Sequence, residues 1–176
     1  MISINQLAGS AATAAADSFR LIYAEVFAGP PYYETEEDVS AAFDRFRSRT
    51  SVLAALATTD DGEPVGMAYG WLVPPQTDWW DRLTEPVPED VRREDGRRTF
   101  GLMELAVRAP WRRQGVARRL HEALFATVDA ERVLLNVHTE NHAAITAYRS
   151  WGYRKLGDAH PWPGAPLHDV MLRPLV

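Results

Sequence analysis

The sequence contains no cysteine. That excludes disulfides, a thiol nucleophile and any cysteine-based metal site. Lysine is nearly absent as well: Lys155 is the only one. Arginine and alanine are abundant, a bias that the codon usage of a GC-rich bacterial genome accounts for without any function. There is no basic excess either, since the formal net charge is −5, and this argues against a nucleic-acid partner. No apolar run approaches the roughly 20 residues that cross a bilayer. The opening MISINQLAGS lacks the basic-then-apolar pattern of a signal peptide. These absences predict a cytoplasmic protein with no membrane partner.

What is present fits one domain. The chain has 176 residues, 46% of them apolar and 24% charged, which suffices for a single core over 1–176. Ile2 and Ile4 alternate with polar residues, as in a short strand. Ala15, Phe19, Ile22 and Val26 share one face of a helix predicted over about 11–27. "AGPPYYE" breaks it, and Thr35 to Asp38 read as a capping box opening a second amphipathic helix through Val39, Phe43 and Phe46. "SVLAALATT", "DDGE" and "PVGMAYGWLV" read as a hairpin. In its return strand Gly66, Ala68 and Gly70 form a small face, open to the close approach of another backbone.

Residues 74–99 show no clear period. Two readings stand open for this long insertion: a lid or contact surface displaying Trp79 and Trp80, or a loop that covers its own core. "FGLMELAV" is a fourth strand, "RVLLNVH" a fifth, and two short strands close the chain. Strands interleaved with helices predict an α/β mixed sheet covered on both faces.

The stretch "APWRRQGVA", residues 109–117, joins the fourth strand to a helix traced by Val116, Leu120, Leu124 and Val128. A helix start leaves amides unpaired and carries positive potential, so it suits an anion. Gly115 and Ala117 keep the turn free of bulk, while Arg112, Arg113 and Gln114 add donors and charge. It is neither a Walker loop nor a dinucleotide fingerprint, and a plain strand-to-helix turn with an exposed arginine pair would look similar.

"LAVRAPWRRQGVARRL" resembles motif A of the GNAT family of N-acetyltransferases, with Arg112-Arg113-Gln114-Gly115-Val116-Ala117 matching its core. "NHAAITAYRSWGY" is similar to that family's motif B through Asn141, Ala144, Tyr148, Gly152 and Tyr153. The resemblance covers residues 100–157. Pro110 stands one place later than is common, and the 74–99 insertion exceeds the family's usual hairpin.

The resemblance implies a single-domain fold whose fourth and fifth strands splay apart, and transfer of an acetyl group from acetyl-CoA to an amine. It places the pantetheine arm along Leu105, Ala106 and Val107, and the pyrophosphate on the amides around Gln114 to Ala117. Asn141 and Ala144 would meet the cofactor from the other side. An alkylammonium has a pKa near 10.4, so the amine must lose a proton before attack. Holding amine and thioester together supplies much of the rate, and a strand amide can stabilise the oxyanion.

Tyr148 matches the family tyrosine that protonates the departing sulfur, although periodicity alone would make it a core residue. Glu104 is the candidate base. A carboxylate within an apolar strand needs a reason, which is either this chemistry or an arginine partner such as Arg20 or Arg149. Asn136 and His138 share one strand face and could relay a proton, while His121 on the motif A helix is expected to be solvated. His138 and His142 straddle a strand-to-helix turn, so no metal site is expected.

Tyr32, Tyr33 and Glu34, with Trp79 and Trp80, suggest an aromatic, acidic mouth for a small cationic amine. Glu36 to Asp38 are better explained as helix caps. A protein N-terminal or lysine acetyltransferase is the alternative, and a non-catalytic acyl-CoA-binding module a second. Exposed tryptophans would also suit a homodimer contact.

Overall fold

Ile2 and Ile4 lie in an edge strand, β1 (Ile2–Ala8), paired antiparallel with β2 (Leu53–Thr59). The expected hairpin then joins β2 to β3 (Pro64–Leu72), again antiparallel. The chain is a computed structural model that describes residues 1–175. It divides into two compact units, Met1–Trp71 with Met103–Val128, and Leu72–Leu102 with Asp129 onward.

In the first unit the helix expected over 11–27 is two helices, α1 (Ser10–Ala14) and α2 (Ala16–Phe27), separated where Ala15 leaves helical geometry at ψ 8°. The capping box forms as expected and starts α3 (Glu36–Ser48). The Asp38 amide donates to the Thr35 hydroxyl at 3.2 Å, and the Thr35 amide donates to the Asp38 carboxylate at 2.8 Å. Phe19, Ile22 and Tyr23 of α2 and Phe43 and Phe46 of α3 pack on Leu56, Met67 and Tyr69 of the sheet. Tyr69 meets Phe46 edge-on with ring centres 4.9 Å apart.

The opposite face of the same strands carries α5 (Val116–Phe125). A Cβ on Gly66 would lie 3.0 Å from Leu120, 3.2 Å from the Ala106 carbonyl and 3.3 Å from Val107. The small face of β3 therefore does admit another backbone. His121 departs from expectation: it is 2% exposed, with its ring 4.8 Å from that of Phe125. The sheet-facing stripe of α5 is one residue wider than the apolar spacing suggested, because His121 adjoins Leu120.

The second unit holds residues 99–102 of β4 (Thr99–Val107), then β5 (Arg132–His138), α6 (His142–Ser150), β6 (Arg154–Ala159) and β7 (His168–Pro174). The 74–99 segment belongs to it. The segment contains a 3₁₀ turn, Trp79–Arg82, and a short helix, α4 (Glu89–Arg92). Trp80 is 3% exposed and packs with Leu134, Ala159, Val170 and Leu172. Arg132 lies over its ring and donates to Thr99 at 2.8 Å and to the buried Glu94 carboxylate at 3.2 Å. Core burial thus explains half of the tryptophan pair.

The strands form one mixed sheet in the order β1-β2-β3-β4-β5-β7-β6, with helices beside it. β4 and β5 are parallel and pair over three positions, Thr99↔Arg132 to Gly101↔Leu134. This is the parallel pairing expected of the fourth and fifth strands.

Gly66→Ala is expected to lower stability by about 1–3 kcal/mol, because the Ala106 carbonyl cannot move aside. Chemical denaturation checks this, and an unchanged midpoint would show that α5 yields freely.

Candidate active site

The turn after β4 is shaped by two left-handed residues, Arg113 at φ 59° and Gly115 at φ 78°. A side chain at Gly115 would meet no atom within 4 Å. The glycine is therefore required by backbone conformation, and the space before it is open. Gly115 caps α5 without any side-chain bond. Among the described residues no carbonyl accepts from the amides of Gln114 to Ala117. They are free donors at the positive end of a helix, on a turn whose Gln114 and Gly115 are exposed.

Two of the side chains expected to add donors at the phosphate also brace the loop. The Arg112 guanidinium donates to the Val107 carbonyl at 2.7 Å, and the Gln114 amide donates to the Pro110 carbonyl at 3.2 Å. Arg113 remains exposed. Arg108, which the sequence did not single out, holds the end of β4. It pairs with Glu25 at 2.8 Å and Glu63 at 2.9 Å, and its guanidinium lies 5.1 Å from the centre of the Trp111 ring.

Upstream of this turn, Met103, Glu104 and Leu105 are half-buried although β4 is the central strand, while Ala106 and Val107 are buried. Glu104 keeps partial contact with solvent yet lies deep. Burial pushes its carboxyl well above the usual carboxylate range, the charge of Glu34 adds to this, and Arg45 opposes it. Among the described residues it has neither a hydrogen-bond nor an ion-pair partner. Neither arginine named as its partner from sequence fills that role: Arg20 pairs with Glu36 and Ser40, and Arg45 is the arginine near Glu104.

Glu34 follows the "AGPPYY" turn, where its amide donates to the Phe27 carbonyl at 2.9 Å. Burial raises its carboxyl too, opposed by the Tyr23 hydroxyl, a hydrogen-bond donor beside it. Its Oε2 is buried without a partner. Tyr23 and Tyr69 are pushed up in turn, chiefly by burial and then by the charge of Glu104. Tyr32 packs edge-on against Phe27 at 4.7 Å, while Tyr33 is 69% exposed and left-handed at φ 49°. Tyr23 was not legible as a site residue, since its helical spacing marks it only as core.

In the second unit, the Asn141 side chain caps α6, accepting from the Ala144 amide at 3.1 Å. Tyr148 is buried, its ring 5.6 Å from Trp151 and 5.3 Å from Tyr153. Trp79 and Asn136 meet: the indole N–H donates to Oδ1 at 3.0 Å. His138 accepts from the Glu140 amide through Nδ1 at 3.1 Å, and its ring lies 5.3 Å from His168. His168 went unnoticed in sequence. Burial lowers its pKa. Among the described residues no cluster of metal-ligating side chains occurs.

A raised glutamate opposes folding once the pH climbs past the ordinary carboxylate value, because the unfolded chain releases its proton first. Each unit of displacement is worth about 1.4 kcal/mol. Glu104→Gln is therefore expected to raise stability at about pH 8 and to change it little at about pH 4. Denaturation at the two pH values measures the difference, and equal effects would show that Glu104 is not displaced.

A sequence model of the family described as "Acetyltransferase (GNAT) family" matches residues 16–153. No curated protein matches the chain significantly. Among solved structures, an acetyltransferase from Thermus thermophilus is similar at a TM-score of 0.67 and 18% identity, covering 98% of this chain and 97% of that one. The ribosomal-protein-S18-alanine N-acetyltransferase from Escherichia coli is similar at 0.66 and 20%, covering 99% and 94%. A chain of the NatC complex bound to Gag peptide and CoA is similar at 0.65 and 15%, covering 99% of each. At such identities the likeness is one of fold.

Proposed function

The chain belongs to the acetyltransferase (GNAT) family, and from that premise we propose that it moves an acetyl group from acetyl-CoA to the primary amine of a small cationic molecule, by direct attack in a ternary complex. The observation that carries this reading is the turn after β4. Its amides from Gln114 to Ala117 have no acceptor among the described residues, and the space beside Gly115 is open. That cradle fits a diphosphate. In the motif A resemblance the backbone of β4 from Leu105 to Val107 takes the amide-bearing arm of the same molecule.

Acetyl-CoA supplies the activated thioester. The chain's own groups handle position and protons. Glu104 takes the proton from the amine, and its raised pKa makes it a stronger base than an ordinary carboxylate. Motif B assigns Tyr148 the return of a proton to the departing sulfur, and Asn141 and Ala144 the contact with the cofactor arm. Tyr32, Tyr33 and Glu34 are the acceptor-side residues of the first unit. Trp79, Asn136 and His138 are those of the second, with Trp80 supporting Trp79 from the core.

The protein-acetyltransferase alternative draws on the neighbours whose names record an alanine substrate and a bound peptide. Thiol release from acetyl-CoA decides the matter, with small alkylamines in one arm and short peptides with free N-termini in the other. The reading predicts turnover with the alkylamines. Turnover with peptides alone would establish the alternative, and no release in either arm would leave a binding module.

Tyr148→Phe is expected to lower turnover by about 10²-fold, with acetyl-CoA affinity unchanged. Unchanged turnover would remove Tyr148 from the mechanism. Gly115→Val is expected to weaken CoA binding by about tenfold or more, since it both strains φ and fills the cradle. Calorimetric titration reads this directly.

A further inference from the structure

An indole nitrogen carries a hydrogen and no lone pair to accept with, so it only donates. The Trp79 indole N–H donates to Oδ1 of Asn136 at 3.0 Å. That bond fixes which way round the Asn136 amide lies: the carbonyl oxygen faces Trp79, and the NH₂ group faces away. Asn136 is half-buried on β5. Its Nδ2 donates to none of the described residues, nor is it one of their fully buried, unpaired nitrogens. It is a donor open to a ligand. Its surroundings are apolar on two sides. Leu134 precedes it on the same strand face, and Val170 stands opposite it on β7, both fully buried. His138, the next residue along that face, turns Nδ1 to the Glu140 amide at 3.1 Å, so Nε2 carries the proton of the neutral ring. What this face offers a ligand is hydrogen-bond donors.

Trp79 is anchored along the chain on its C-terminal side. Its neighbour Trp80 is buried in the core of the second unit, with the Arg132 guanidinium 5.3 Å from the centre of its ring. Arg132 in turn donates to Thr99 at 2.8 Å and to Glu94 at 3.2 Å, a carboxylate whose side chain is 2% exposed. Past the 3₁₀ turn, the Thr84 amide donates to the Asp158 carbonyl at 2.8 Å, and the His160 amide donates to the Arg82 carbonyl at 3.2 Å. The 74–99 segment is thus stitched to β4, β5 and β6 within its own unit, and the Trp79 indole is a fixed part of the strand face.

We propose that Asn136, its amide fixed by Trp79, selects acceptor amines that also carry a hydrogen-bond-accepting oxygen, with Trp79 as the positioning residue for that selection. This rests on the acetyltransferase reading, in which both are acceptor-side residues, and it specifies a second group of the substrate besides the amine. An ammonium only donates, so it gains nothing from the Nδ2 hydrogens and is not the group that Asn136 holds. An ether, hydroxyl or carbonyl oxygen does fit, because it accepts an N–H bond in a largely apolar setting. A hydrocarbon chain in the same place displaces water and leaves the donor unpaired, and that loss is what discriminates. No proton moves in this contact. Residues 74–99 then do more than cover a core: they orient a strand residue toward the substrate.

The test compares kcat/KM, by thiol release from acetyl-CoA with the full chain, for amines that bear an acceptor oxygen and for their hydrocarbon isosteres. Methoxyethylamine is set against n-butylamine, methoxypropylamine against n-pentylamine, and glycinamide against isobutylamine. The oxygen-bearing member of at least one pair is expected to be preferred by about threefold to tenfold. Preference in an ether pair assigns the oxygen to a small molecule, and preference for glycinamide alone assigns it to a peptide carbonyl. Trp79→Phe keeps an aromatic ring and removes the N–H, so the amide is free to turn over and the preference should shrink toward parity. Asn136→Asp keeps the bond to Trp79 and replaces the outward donor by an acceptor, so the preference should vanish. A merely structural role would change both members of a pair alike. The proposal is overturned if no pair shows a preference, or if either variant, folded as judged by its melting temperature, leaves the preference in place. Should Trp79→Phe fail to fold, Asn136→Asp decides alone. Thiol release with none of the amines would instead overturn the acetyltransferase reading, so the two failures are distinguishable.

Discussion

A helix that begins on a left-handed glycine turns its first amides outward and gives them nothing to bind. At the start of α5 that is the state of Gln114 to Ala117. Water can satisfy these donors, because the loop is exposed, but water does not neutralise the positive end of a helix as an anion does. The neighbouring side chains serve this geometry. Arg112 Nε and Gln114 Nε2 donate to the Val107 and Pro110 carbonyls. Arg108 ties the strand end to Glu25, Glu63 and the Pro64 carbonyl. Arg112 and Gln114 act as struts of the turn, and in the proposed reading recognition is left to the main chain.

The second constraint is the placing of Glu104 on the same strand. Most deeply placed carboxylates in folded proteins find an arginine or a cluster of amides. Here Arg45 is near enough to be felt and too exposed to neutralise the charge, while Glu34 adds charge of the same sign. A carboxyl so placed costs stability at neutral pH, and in the proposed reading that cost keeps a proton acceptor poised, a trade that reactive sites commonly make. The aromatic core of α2 and α3 is well placed to bear that cost. Phe19, Phe43 and Phe46 are fully buried and contact one another and Tyr69.

Much of the frame was legible in the sequence because its signals are local. A capping box at Thr35, a two-strand hairpin and an asparagine N-cap at Asn141 each depend on residues within a few positions. The turn after β4 was legible for the same reason, since glycine and helix start adjoin. What escaped notice depends on long-range packing. Tyr23 is 11 positions from Glu34 and 81 from Glu104, and no spacing rule joins a helix, a loop and a strand. Arg45 in place of Arg20 or Arg149 is of the same kind. Trp79 and Trp80 are adjacent, yet one bonds Asn136 and the other fills the core of the second unit, a division that only the 3₁₀ turn at Trp79–Arg82 creates. His121 shows the reverse failure: polar character suggested solvent, and its place beside Leu120 on α5 buried it.

The central claim is that main-chain amides at the start of α5 hold the diphosphate of coenzyme A. Titration calorimetry of the full chain with CoA and with pantetheine, which lacks the diphosphate and nucleotide, tests it most directly. The account predicts that CoA binds and that pantetheine binds weaker by about 100-fold, equivalent to about 2.7 kcal/mol. Equal affinity for the two, or no binding of CoA, would contradict it.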